Sequence, residues 1–101
     1  MIRHIVMWRV RGDDAGARAR HAAQVKQAFE SLRGQVPGLR HLEVGLDVSG
    51  VDYACDVVLV TDFDSREALA AYAEHPAHLR VRQSLEGLRV TRHQVDYELA
   101  G

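Results

Sequence analysis

A chain of 101 residues has room for one compact domain, and a domain of that size buries only about 60 to 65% of its unfolded surface, so its own core is marginal. Hydrophobic residues at 47% and charged residues at 27% exclude a disordered chain; thirteen basic against fourteen acidic residues, with neither sign gathered in a block, exclude the basic surface that nucleic acid demands. Cys55, the one cysteine, excludes an internal disulfide, no run of about twenty apolar residues offers a membrane span, and no apolar leader precedes the first strand, which together point to a cytoplasmic protein.

"IRHIVMWRV" alternates Ile2, His4, Val6, Trp8 and Val10 on one face with Arg3, Ile5, Met7 and Arg9 on the other, the period of a strand. "RGDDAG" is a loop by its turn chemistry, and from Ala17 to Leu32 the positions Ala22, Val25, Phe29 and Leu32 recur at helical spacing. Gly34, Pro37 and Gly38 end that helix. "LRHLEVGLDV" then gives a second strand with Leu42, Val44 and Leu46 on one side, and "CDVVLVTDF" a third whose apolar character suits the middle of a sheet. Cys55 is a small packed thiol at the start of that run. "DSREALAAYAEH" opens a helix with Ser65 or Asp64 as N-cap and Glu67 in its first turn, burying Leu69 and Tyr72. Pro76 interrupts it but is welcome in the first turn of another, so "HPAHLRVRQSLEGL" is a second helical piece with His75 near its N-cap, closed by Gly87. "LRVTRHQVDYEL" supplies the last strand.

The order β, α, β, β, α, β is the ferredoxin-like arrangement, an α+β fold in which helices cover one face of a four-stranded antiparallel sheet over a single domain, residues 1–101. The other face still presents Ile5 and Met7, and an apolar face of that size requires cover. A second copy related by a two-fold axis provides it, packing sheet on sheet into a homodimeric α/β barrel.

From "IRHIVMWRV" through "VPGLRHLEVGLDVS" and "YACDVVLVTDFDSREALAAYAEHPAH" to the closing "VDYEL", the chain resembles the stress-responsive dimeric α/β-barrel (Dabb) family over essentially its whole length. "FDSREALAAYAEHPAH" is the most specific stretch, joining an aspartate-serine helix start, a tyrosine three before a histidine, and HPxH. The resemblance implies a ferredoxin-like protomer and a homodimeric barrel. It also implies positions: a plant polyketide cyclase of the family closes a linear tetraketide by intramolecular aldol condensation without a redox cofactor. Its catalytic tyrosine and histidine match Tyr72 and His78, and a pocket histidine of its first strand matches His4. Other relatives are stress proteins that assemble into larger particles, and similar dimeric barrels host cofactorless monooxygenases. The first helix departs from the plant cyclase, reading "RHAAQVKQAFESL" where that enzyme places aromatic side chains around an alkyl tail, so a different pocket and substrate follow.

Enolising a carbon beside a carbonyl needs a base near neutral pKa and a donor for the developing oxyanion, tasks suited to imidazole and phenol. His78 is the candidate acid/base and Tyr72 the candidate oxyanion donor. On one straight helix their six-residue separation would leave them about 120° apart, whereas a bend at Pro76 turns both toward one cavity. The plainer reading makes Tyr72 a core aromatic and His78 a solvated helix residue. His4, Val6, Trp8 and His75 are the candidate substrate contacts; His4 is otherwise a satisfied core histidine, Trp8 plain core and His75 an N-cap. His21, His41 and His93 are surface or interface residues. Arg80, Arg82 and Gln83 bring polarity that meets either a carboxylate or water. Metal binding by His75 and His78 lacks a third ligand nearby, and no phosphate-cradling glycine loop is present, so no metal or cofactor is expected. Two functions stay open: a small cofactor-independent cyclase, isomerase or lyase acting on a carbonyl-containing or aromatic ligand, and a non-catalytic stress-responsive, ligand-binding or assembly protein.

Overall fold

A computed structural model describes residues 1–100. Strand β1 (Ile2–Val10) leads to helix α1 (Ala15–Glu30), strands β2 (Leu39–Leu46) and β3 (Val57–Phe63), helices α2 (Arg66–Glu74) and α3 (Pro76–Ser84), and strand β4 (Arg89–Glu98). The strands form one antiparallel sheet in the order β2-β3-β1-β4, with β3 and β1 at its centre. This is the ferredoxin-like βαββαβ fold expected from the sequence.

The alternation in β1 is carried out by burial: Ile2, His4, Val6, Trp8 and Val10 all point under the helices and are buried. They meet Leu59 and Phe63 from β3, Leu42 and Val44 from β2, and Val25 and Phe29 from α1. Phe29 stacks on Trp8 with ring centroids 4.9 Å apart. Fully burying such side chains is worth about 1.5–3 kcal/mol each, so a core of this kind sustains a small fold without crosslinks.

The ends of the elements follow local chemistry. Asp14, not a later residue, caps the first helix, accepting the Ala17 N–H at 2.7 Å, so the helix starts two residues before the expected Ala17. Leu32 falls in the turn after it and is still buried. Ser65 caps α2 by accepting the Ala68 N–H at 3.1 Å. Strand β2 stops at Leu46 rather than Val48 because the Asp47 carboxylate accepts from Ser49 and the Gly50 N–H, folding the chain back. Leu46, at that strand end, is 39% exposed and does not join Leu42 and Val44 in the core. Gly38 is required where it sits: its φ is +81°, and a Cβ there would lie 2.7 Å from the Ala68 Cβ of α2.

Helix cover is uneven. The helices pack over β1, β2 and β3, leaving the helix side of β4 with the polar series Arg92, Gln94, Asp96 and Glu98, all exposed. On the opposite face of the sheet, Ile5 lies between Val60 and Val95 and Met7 beside Val58. Met7 is 37%, Val95 58% and Tyr97 42% exposed there. An Arg3–Asp62 pair, bidentate at 2.8 and 2.9 Å, flanks this apolar patch.

Candidate active site

The turn between α2 and α3 makes the site. His75 leaves the helical region with ψ 136°, and its Nδ1 accepts the Ala77 N–H at 3.1 Å, capping α3 while Pro76 starts it. The direction change brings Tyr72 and His78 together across the junction, ring centroids 4.3 Å apart. Beneath them, the β1 alternation delivers His4, whose ring lies edge-on to Tyr72 at 6.3 Å. Phe63 supports Tyr72 from the sheet, 5.0 Å away.

These side chains line a cavity of about 600 Å³ between the helices and the sheet, within the range of small-ligand pockets. His4, Val6, Trp8, Tyr72 and His78 are all on its wall. His75 is not; its ring is occupied at the start of α3. His41 and His93 are exposed and His21 is half-buried, all away from the cavity.

Each ring is held in a definite state. The His78 Nδ1 lies 3.1 Å from the Ala73 carbonyl oxygen, which only accepts, so Nδ1 carries the proton and Nε2 keeps a free lone pair. Burial pushes the His78 pKa below its ordinary value, and the positive charges of Arg82, Arg89 and Arg92 act in the same direction, against the raising effect of the Ala73 bond. The imidazole is therefore a neutral base at neutral pH. The His4 Nδ1 sits 2.5 Å from the Asp96 Oδ1, across the β1–β4 register. Asp96 accepts also from the Gln94 amide at 3.0 Å, so His4 donates through Nδ1 and its Nε2 is left for the cavity. Tyr72 is 3% exposed, and its hydroxyl has no hydrogen-bond partner among the described residues. Burial raises its pKa, outweighing the nearby arginines, and keeps the phenol protonated. A buried donor left unpaired is costly, and few groups in native structures are left so.

The sequence did not reveal Asp96, Arg89 and Arg92 as members of this site. A register irregularity between Arg9 and Val10 decides the face of Arg89, while Arg92 and Asp96 lie in the regular stretch opposite Trp8 and His4, where alternation groups them on one face without saying that this face meets the helices. The polar series at 92, 94, 96 and 98 was the available signal.

The cavity lies between helices and a ferredoxin-like sheet, and the chain belongs to the stress-responsive A/B barrel domain family, whose model matches residues 2–99. It is 35% identical over 78 residues to an uncharacterized protein of Streptomyces coelicolor, spanning 77% of this chain and 79% of that one. A dimeric ferredoxin-like protein of unknown function from Bacteroides fragilis is similar at 28% identity and a TM-score of 0.85, over 97% of this chain and 95% of that one. A hydroxynitrile lyase from Passiflora edulis shares the fold at 14% identity and a TM-score of 0.79, over 98% of this chain and 93% of that one.

Proposed function

We propose that the protein is a cofactor-independent enzyme that moves protons on a carbonyl substrate, a reaction of the cyclase, isomerase or lyase kind, in the cavity of Tyr72 and His78. The observation that carries this reading is the buried, partnerless Tyr72 hydroxyl packed against an imidazole whose tautomer is fixed by the Ala73 carbonyl. His78 Nε2 takes a proton from the carbon beside the carbonyl. The electron pair moves onto the carbonyl oxygen, which accepts a hydrogen bond from the Tyr72 hydroxyl, and His4 Nε2, aligned by Asp96, completes the polar wall. The resulting enolate attacks a second carbonyl in a cyclisation or takes the proton back at another carbon in an isomerisation. The Tyr72 oxygen is buried, and both the Tyr72 and the half-buried His78 side chains line the cavity. The Passiflora edulis likeness, at 14% identity, concerns the fold, and the reading rests on the residues of this cavity.

The working form in this proposal is a symmetric homodimer that buries Ile5, Met7, Val58, Val60 and Val95 between two sheets as a closed barrel. Exposure of Met7 and Val95 supports it, as does the description of the similar Bacteroides fragilis protein as dimeric. A chain with one cysteine also suits the reducing cytoplasm, since it has no internal disulfide to lose. No helix among the described residues is long and apolar enough to cross a membrane.

Proton transfer is read directly by following deuterium from D2O into the acetyl methyl group of two enolisable probes, 4-acetylbenzoate and 4-acetylbenzamide. The expected result is exchange of at least one probe above the buffer rate, strongly reduced by Y72F and by H78Q. Buffer-rate exchange of both with the intact protein removes the catalytic reading.

A further inference from the structure

The cavity has a second chemical end. Arg82 at the close of α3 and Arg89 and Arg92 at the start of β4 share its wall with Tyr72 and His78. Three arginines elsewhere pair with carboxylates, Arg3 with Asp62, Arg40 with Asp64 and Arg33 with Glu30, and Arg9, Arg11 and Arg18 donate to backbone carbonyls; what distinguishes Arg82, Arg89 and Arg92 is that three cations share one cavity wall. Among the described residues none of the three cavity arginines is in an ion pair, and Arg82 and Arg89 donate no side-chain hydrogen bond at all. Arg92 reaches only the Gln94 amide oxygen. Glu86, the one carboxylate on the cavity wall, is within ion-pair distance of none of them.

Arg89 is the most telling of the three. It is half-buried, with its guanidinium 5.3 Å from the Trp8 ring centroid and 5.9 Å from that of Phe29. Burial and the neighbouring charges of Arg82 and Arg92 both disfavour its protonated form. A half-buried cation beside two others, with no carboxylate paired to it, carries a cost that an incoming anion lowers. Guanidinium groups match the two oxygens of a carboxylate, and the stacked Trp8 and Phe29 rings next to Arg89 add a flat apolar surface to the same wall.

We infer that the ligand of this cavity is an organic acid, its carboxylate held by Arg82, Arg89 and Arg92 and its carbonyl turned toward Tyr72 and His78. The carbonyl half of this statement rests on the proton-transfer reading above; the carboxylate half rests on the arginines alone. The substrate class is then a keto acid with an apolar or aromatic spacer, rather than a neutral ketone or an ester.

The test compares 4-acetylbenzoate with 4-acetylbenzamide, which match in shape and differ in charge, by ligand-observed NMR titration of the full chain. The expected result is an acid bound at least about ten-fold more tightly than the amide, as charge-assisted pairing requires. That preference should shrink in R82Q and R92Q, whose side chains are exposed and carry little of the fold, and vanish in R89Q. It should persist in Y72F. Equal binding of the two probes, no binding of either, or an unchanged preference in all three arginine variants overturns the inference. Inorganic phosphate displacing the acid at lower concentration than the acid itself binds would make this a phosphate site and also overturn it. The deuterium readout separates the two proposals: charge preference without exchange defeats the catalytic reading and leaves the acid site, while exchange without charge preference does the reverse.

Discussion

Replacing Tyr72 by phenylalanine should make this protein more stable and less active. The tyrosine is 3% exposed and its hydroxyl is unpaired among the described residues. Its contacts with Phe63 at 5.0 Å, His4 at 6.3 Å and His78 at 4.3 Å are all made by the ring, which phenylalanine keeps. A buried polar group without a partner costs about 1–3 kcal/mol. Deleting one oxygen leaves a void smaller than a methyl group, with a small packing loss to set against that gain. The expected net stabilisation is about 1–2 kcal/mol, and in a domain of this size each kcal/mol raises Tm by about 4–8 °C. Thermal and urea unfolding should be compared at one protein concentration, because dimerisation shifts both. Over the same substitution, proton exchange should fall by about 10² to 10³, the usual effect of losing an oxyanion donor. A Y72F protein that melts at or below the parent temperature would mean that the hydroxyl already has a partner, and its role as a free donor would go with it.

His78 carries a pH signature. Its folded pKa lies below the ordinary 6.5, so the unfolded chain takes up the proton first; the contribution to stability is full above pH 6.5 and declines as the pH falls toward the depressed value. Exchange should fall on the acid side with its inflection below pH 6.5, and H78Q should remove that limb and lower the rate by about 10² to 10⁴. Asp62 works in the same direction at lower pH: Arg3 holds its carboxyl below the ordinary 3.8, so its contribution is present above that value and lost as the pH falls through the depressed one, and acid unfolding of D62N should flatten there. G38A places a methyl group at φ +81° against Ala68, and urea unfolding should show a loss of more than about 1 kcal/mol. V95D puts a charge on the open face of the sheet; sedimentation should find single protomers where the parent sediments as a pair.

The fold was legible because its signals are local and periodic. Alternation in Ile2–Val10 predicted which side chains point under the helices, and each of those is buried. Ser65 and His75 announce two helix starts, and Pro76 the break between them, through chemistry confined to a few neighbouring residues. Parts of the cavity were legible for the same reason, since the bend at Pro76 alone accounts for the meeting of Tyr72 and His78. The rest depends on distance along the chain. His4 finds Asp96 only through the β1–β4 register, and Arg89 comes to lie over Trp8 only because that register shifts near Val10. No pattern within β4 encodes either fact. The exposure of Leu46 was missed for a related reason: alternation assigns a side chain to a face but does not say how far the covering layer extends.

In β1, the even-numbered residues His4, Val6 and Trp8 line the cavity while the odd-numbered Ile5 and Met7 form the bare face of the sheet. Two protomers joined through that face would carry their cavities back to back on the outside of the particle, each furnished by a single polypeptide. Occupying one chamber then has no direct route to the other. A hybrid particle with one H78Q protomer should turn over at half the parental rate with an unaltered KM, and saturation curves should be hyperbolic.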